Sequence, residues 1–392
     1  MDLLDGYDSG NLTVASLGGH SALDVCHGAK YYGLNTIVLA KKGREKTYER
    51  YYRTRKSVMV SSSNHDTLRR AQGDTIGCVD DVVIVNEFKD VLREEVQEQL
   101  RAKNTIFVHS RYFWVYFENF AKVEQEFHIP IFGSRSLLKL EERNQPFNQY
   151  HLLQNAGIRT PKVFDTSSDI DRLCIVKANE VKRAYERAFF FVHSPEEWEE
   201  VGSVLEAQGK IATSWRKAPI EEFVLGAPVN FNFFYSPLSQ ELELLGTDTR
   251  RQTNLDGVLR LPARDQEHAL KTMPLTMVET GHIACTVKES LLEKAFDIGE
   301  RFVKATQNLP NKIDPLGKGI IGPFSLQGAV VAEDGQEDIV IFDVSFRIPG
   351  SPGISATPYS GYLYGHSMSM GERIGMELRR AVEEGRVEEV VT

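Results

Sequence analysis

The segment GPFSLQGAVVAEDGQEDIVIFDVSFR, Gly322 to Arg347, constrains the fold more than any other stretch. Residue types alternate on both sides of Asp334-Gly335, the pattern of two strands joined by a turn. Phe324 and Leu326 fall on one side of the first strand, Ser325 and Gln327 on the other. On the second strand Phe342, Val344 and Phe346 alternate with Asp343, Ser345 and Arg347. A loop of odd length, such as Asp334 to Gln336, sets Gln327 opposite Asp343. A two-residue loop would set Gln327 against Phe342 and mix polar with aromatic, so the odd loop is expected. Gln327 and Asp343 are then hard oxygen ligands on adjacent strands, which suits Mg²⁺ (or Mn²⁺) held together with phosphates. A surface hairpin with a polar outer face accounts for the same pattern equally well.

A chain of 392 residues predicts two or three domains. With 41% hydrophobic and 26% charged residues it is an ordinary soluble globular protein. A net charge of −9 argues against nucleic acid as a partner. No run of about 18 apolar residues is present, and MDLLDGYDSGN lacks a basic region followed by an apolar core. The expectation is a cytoplasmic protein with no membrane partner. Cys26, Cys78, Cys174 and Cys285 are far apart, which predicts buried thiols with neither disulfide nor zinc.

The chain opens as strand (Leu12 to Leu17), glycine turn, helix (Ser21 to Tyr32) and strand (Thr36 to Ala40). Gly18-Gly19-His20-Ser21 lies at a strand's carboxyl end and a helix N-terminus, where α/β sheets take anions. Lys41 to Lys46 follows the second strand and could take a phosphate, although a solvated loop explains it more cheaply. Strands at Asp81 to Val85 and Thr105 to Val108 continue the domain, and His109-Ser110-Arg111-Tyr112 marks another carboxyl end. Gly157 and Pro161 end a helix and open a new domain. Strands follow at Leu173 to Lys177, Ala188 to Val192, Val229 to Phe234 and Glu241 to Gly246. Helices close the chain at Glu289 to Gln307 and Ser369 to Glu384. The class is α/β followed by α+β.

These pieces in order resemble the ATP-grasp superfamily, and more closely the archaeal PurP family of formate-dependent FAICAR synthetases. The motifs run nearly the whole length: LGGHSAL, KKGREK, IPIFGSR, NAGIRTPKVF, EEFVLGAPVNFNFFYSPL, ELELLGTDTRRQTNLDGVLRLPARDQ, GPFSLQ, FDVSFR, TPYS and SMGERIGMELRRA. The resemblance implies an N-terminal doubly wound parallel-sheet (pre-ATP-grasp) domain over 1–133. A small ATP-grasp subdomain over 134–225 and a C-terminal domain with the metal-site strands over 226–392 complete it. The implied reaction uses ATP to phosphorylate formate, and the amine of 5-aminoimidazole-4-carboxamide ribonucleotide (AICAR) attacks the formyl phosphate to give FAICAR in IMP biosynthesis. His20, Ser110 and Asn254 would contact AICAR, with Arg111 an alternative at the serine position. Arg250, Arg251 and Arg264 could hold formate or phosphate oxygens. Lys177 would face the ATP phosphates, and Glu221, Glu222, Phe223 and Val224 would form the adenine hinge, Glu222 taking the ribose hydroxyls. The family also implies homo-oligomers.

Three departures fall on the ATP half. The family's glycine-rich loop after Lys177 is replaced by Ala178 to Arg187, which contains no glycine. Tyr150 and His151 stand near the family's phosphate-binding lysine. Gln327 and Asp343 replace two glutamates, and Pro349 and Pro352 stiffen the segment that follows. Two alternatives therefore stand beside the FAICAR synthetase reading. One is a ligase for another carboxylate and amine; the other is a non-catalytic purine-nucleotide-binding protein.

Overall fold

The computed structural model describes residues 3–19, 21–56, 75–115, 117, 120–142, 145–178, 189–273, 278–333 and 335–392. Sixteen strands lie within these residues. The first seven are β1 (Thr13–Leu17), β2 (Asn35–Lys41), β3 (Arg55–Lys56), β4 (Thr75–Ile76), β5 (Asp81–Val85), β6 (Thr105–Val108) and β7 (Ile131–Phe132). Five of them form a wholly parallel sheet in the order β5-β2-β1-β6-β7. Every residue of β1 and β6 is buried, as expected of strands covered on both faces. The chain builds outward from β1 through β2 to β5, then returns to β6 on the other side of β1. That reversal opens a crevice at the carboxyl ends of β1 and β6, the place where sheets of this kind bind ligands. Gly18-Gly19 and His109-Ser110 flank it.

A second, antiparallel sheet contains β8 (Val163–Phe164), β9 (Cys174–Lys177), β10 (Phe189–Val192) and β11 (Ile220–Glu222), in the order β10-β9-β11-β8. The third comprises β12 (Ala227–Ser236), β13 (Glu241–Gln252), β14 (Glu279–Cys285), β15 (Gly322–Glu333) and β16 (Gln336–Ser345). Its order is β14-β13-β12-β15-β16, every pair antiparallel. The helix Glu289–Gln307 lays Ala295, Ile298 and Phe302, spaced for one helical face, on the apolar side of this sheet. Phe302 stacks on Phe324 at 5.1 Å, and Phe324 on Phe233 at 5.4 Å. Burying each such ring contributes about 1.5–3 kcal/mol.

The hairpin corrects one expectation. Glu333 pairs with Gln336, so no odd loop sets the register. A bulge between Gln327 and Gly328 takes up Phe342 as an extra residue, and Gln327 faces Asp343 by that route. A Cβ at Gly328 would lie 2.3 Å from the Val340 carbonyl oxygen, so the bulge needs glycine there. Displaced by the bulge, Phe342 is half-buried and leaves Val344 and Phe346 to join the core with Phe324 and Leu326. Among the thiols, Cys285 is half-buried where a buried one was expected; all four are free.

The closing helix, Met370–Glu384, returns to the first sheet. A reciprocal box of Ser369 and Glu372 caps it, and Arg373 anchors it through Glu243, Glu377 and the face of Phe234, 4.1 Å away. It packs on Ala22–Tyr31 through glycines: a Cβ on Gly371 would lie 1.9 Å from the Asp24 carbonyl oxygen. The obstructing atoms are backbone, so no rotamer relieves the clash. Gly371→Ala should therefore lower the unfolding free energy by about 1–3 kcal/mol, despite alanine's better helix propensity. Urea denaturation of the two proteins checks this, and an unchanged midpoint would show the helices further apart.

Candidate active site

β16 is the outer strand of its sheet, and its free edge carries unpaired backbone groups that need partners. The segment 141–150 supplies two of them, and the Ile341 N–H donates to the Arg159 carbonyl at 2.9 Å. The Val344 N–H donates to Gln149 Oε1 at 2.6 Å and the Phe346 N–H to Glu141 Oε1 at 2.8 Å. The Tyr150 hydroxyl lies 3.3 Å from the Phe342 carbonyl, its single proton being given to Glu221. Gln149 also donates from Nε2 to Asp343 Oδ1 at 3.0 Å, which fixes that carboxylate toward the polar face. Burial pushes the Glu141 carboxyl up in pKa, while Arg347, 3.4 Å away, opposes the shift. His151 turns from this site: its Nδ1 meets the cap residue Asn148, and its ring stacks on Phe147 at 5.6 Å.

Across from β16, strand alternation places Ile175, Lys177 and Glu221 on one face of the second sheet and Cys174, Val176 and Glu222 on the other. Lys177 Nζ pairs with Glu221 Oε2 and lies 3.1 Å from the Tyr150 hydroxyl, which itself donates to Glu221 at 2.7 Å. Glu221 is almost wholly buried, so this pair is desolvated. Glu222 is not brought to Lys177. It accepts from the Lys162 backbone N–H at 3.2 Å and from Arg172 at 3.3 Å, on the outer side of the strand. Phe223 donates its N–H to Leu173 and packs edge-on to Phe191, and Val224 accepts from Gly226.

A third group lies on β12, β13 and β14. Asn230 and Asn232 donate to the two oxygens of Asp248, and His282 links Asp248 through Nδ1 to Glu279 through Nε2. Burial disfavours the charged imidazole, but the hydrogen bonds to Asp248 and Glu279 outweigh it and raise His282 to about 9. Glu279 holds Arg250 Nε at 3.3 Å, and Arg250 Nη2 donates to Gln327 Oε1. Gln327 completes the chain by donating to Ser345 Oγ at 3.0 Å. Arg250 and Gln327 are thus brought together. Arg251 is exposed, Arg264 lies on the exposed side of the helix Ala263–Thr272, and Asn254 opens a one-turn helix with a left-handed φ of 36°.

At the crevice of the first sheet, Ser110 Oγ is buried without a hydrogen bond among the described residues, and His109 is buried beside it. Burial and the Arg347 guanidinium depress His109 to about 3, so it is neutral at physiological pH. His20, and the loop expected to cover the triphosphate apart from Ala178, lie outside the described residues. Lys41, at the end of β2, forms a 2.6 Å ion pair with Glu87. No helix of the described residues is long and apolar enough to cross a membrane.

A domain of unknown function, DUF1297, matches residues 197–392, and a protein family of unknown function, DUF1246, matches 14–164. A Methanopyrus kandleri protein named 5-formaminoimidazole-4-carboxamide-1-(beta)-D-ribofuranosyl 5'-monophosphate synthetase is 35% identical, covering 100% of this chain and 98% of that protein. This chain belongs to the FAICAR synthetase (PurP) family. The crystal structure of an IMP biosynthesis protein PurP from Thermococcus kodakaraensis covers 97% of this chain and 100% of its own, with 26% identity and a TM-score of 0.66. An N5-carboxyaminoimidazole ribonucleotide synthetase from Thermotoga maritima shares the fold, with 13% identity, a TM-score of 0.54 and coverage of 94% and 76%. The fold is ATP-grasp, as the motifs imply.

Against that family the metal pair fits poorly. A guanidinium already occupies the amide oxygen of Gln327, and a cation beside it would meet like charge. Among the described residues no group of three His, Cys, Asp or Glu side chains could hold a metal ion. Asp343 is the one carboxylate of the expected pair, so these residues do not make a resident metal site.

Sequence patterns do not reveal His282, Glu279 and Asp248. Only the alternation of Thr247 to Arg251 hints that Asp248 and Arg250 share a face. With a folded value of about 9 against an ordinary 6.5, His282 adds stability that is complete below pH 6.5 and lost as pH rises through about 9. The melting-temperature difference between wild type and His282→Gln should shrink across that window. A constant difference would show that His282 is uncharged in the fold.

Proposed function

We propose that this protein is a cytoplasmic ligase that formylates AICAR to FAICAR at the expense of ATP. Full-length similarity to curated FAICAR synthetases carries the reading. The γ-phosphoryl group passes to a formate oxygen and ADP leaves. The 5-amino nitrogen of AICAR then attacks the formyl carbon, the C–O bond to phosphate breaks, and the nitrogen loses a proton. Such chemistry needs positioned phosphates, fixed positive charge and exclusion of water more than a dedicated nucleophile.

The two halves of the site divide this work. The Ser110 hydroxyl, buried at the β1–β6 crevice without a partner among the described residues, supports a nucleotide contact there. His20 and Asn254 are the other proposed AICAR contacts. Lys177 and the Glu221 to Val224 strand end suit ATP, with Glu222 the residue proposed for the ribose hydroxyls. Mg²⁺ or Mn²⁺ enters as the counter-ion of ATP, and Asp343 is the carboxylate proposed to meet it. Arg251 and Arg264 are proposed to draw the anionic substrates inward, with Arg250 closest to the reacting oxygens.

ADP release should require ATP, Mg²⁺, formate and AICAR together, with FAICAR as product. Release that ignores formate would point to another acid; AICAR binding without release would favour a nucleotide-binding role. Asp343→Ala should abolish formate-dependent release while AICAR affinity stays within about threefold, since the carboxylate lies in the ATP half. Persistent release in that variant would remove Asp343 from the site.

The protein is further proposed to be a homo-oligomer. The helix Ala263–Thr272 buries none of its residues, and Leu259, Leu261, Leu270 and Met273 around it are exposed. Leu259→Glu with Leu270→Glu should shift sedimentation to a smaller species; unchanged sedimentation would place the interface elsewhere.

A further inference from the structure

The chain Asp248–His282–Glu279–Arg250–Gln327–Ser345 crosses the whole polar face of the third sheet, from β14 to β16. Each link fixes the next. Asn230 and Asn232 hold the two oxygens of Asp248 at 2.8 and 2.6 Å, so that carboxylate cannot turn. His282 faces a carboxylate from each ring nitrogen, an arrangement in which both nitrogens donate and the ring is an imidazolium. Glu279 takes the imidazolium on Oε1 and Arg250 on Oε2.

Placing this many charges on a sheet face is costly, and apolar side chains would hold β14 to β13 at less cost. The chain also has a direction. It begins at Asp248, wholly buried, and passes through His282, whose side chain is 12% exposed, to Arg250, whose side chain is 36% exposed. Among the described residues the remaining nitrogen of that guanidinium, Nη1, has no hydrogen bond. A rigid base ending in an open cation is the form of an anion site. The cation stands on the amide of Gln327, next to Asp343, where metal ligands were expected.

We infer that Arg250 supplies the fixed positive charge at the reacting centre beside Gln327, and that His282 is the positioning residue that holds it there through Glu279. The ligand class is an oxyanion, the carboxylate or phosphoryl oxygens of the acyl phosphate formed in the reaction proposed above, and the inference rests on that reaction. A guanidinium locked in place stabilises such charge without reorganising as the reaction proceeds.

Two experiments on the full-length protein test this. In the first, His282→Gln should lower kcat for ADP release about 10- to 100-fold while KM for AICAR stays within about twofold. Arg250→Lys should not restore the rate, because an ammonium cannot reach Glu279 and Gln327 together. An unchanged kcat in His282→Gln, or a loss confined to KM for AICAR, would overturn the positioning role. In the second, Mn²⁺ binding without nucleotide is read by electron paramagnetic resonance. Arg250→Met combined with Gln327→Glu should bind Mn²⁺ at least about tenfold more tightly than wild type. Equal binding by the two would mean that Arg250 does not stand in for a metal. If wild type releases no ADP with formate and AICAR, the proposed reaction fails, and the Mn²⁺ titration still decides what Arg250 does.

Discussion

The free edge of β16 is the constraint on which the candidate site depends. An outer strand leaves alternate backbone groups unpaired, and a buried edge cannot leave them so. Gln149 and Glu141 satisfy two of those groups with side chains where a neighbouring strand would use backbone, and the Arg159 carbonyl takes the Ile341 N–H. The choice has a consequence for chemistry. A continuous backbone partner would have extended the sheet past Asp343, whereas the side-chain partners at Val344 and Phe346 end it there. The same segment reaches further: Gln149 orients Asp343 and Tyr150 orients Glu221. Protection of an edge and construction of a site are one set of hydrogen bonds.

A second dependence runs through the closing helix. Arg373 is buried with Glu243 and Glu377, a group whose desolvation offsets much of its attraction. Its effect is to fix where Met370–Glu384 lies, and the glycine contact with Ala22–Tyr31 fixes how closely. The helix belongs by sequence to the region expected as 226–392 yet packs on the first sheet, and Val391 bridges Phe132. The crevice at β1 and β6 is therefore held in register with the polar face of the third sheet by contacts far from either. Ser21 Oγ, which donates to the Pro349 carbonyl at 3.1 Å, ties the two more directly.

Much of this is legible in the residues. The parallel strands, the hairpin and the long helix follow from periodicity, and Ser110 and Lys177 from their places at strand ends. Alternation with an odd loop predicts that Gln327 faces Asp343, yet a bulge at Phe342 is what produces that pairing. A bulge leaves almost no mark in one sequence beyond a glycine such as Gly328, and glycine serves tight turns and close packing just as well. His282, Glu279 and Asp248 are illegible for a different reason. Their roles come from pairing β13 with β14 across an intervening excursion, and no local pattern encodes which of ten histidines meets which carboxylate. Glu222 shows the limit from the other side, since two adjacent glutamates look alike until strand alternation sends them to opposite faces.

Tyr150 gives the proposed ATP half a physical account. A lysine at that place would put two ammonium groups, its own and that of Lys177, near Glu221. Tyrosine gives Glu221 a neutral donor at 2.7 Å, so Lys177 meets one buried carboxylate with no competing cation from that position. Held between Glu221 and a hydroxyl, the Lys177 ammonium is placed as a point charge on a fixed strand end. The positive charge of the other half follows the same logic, with Arg250 held by Glu279. Charge fixed by side chains on strands is the means common to both halves of the proposed site.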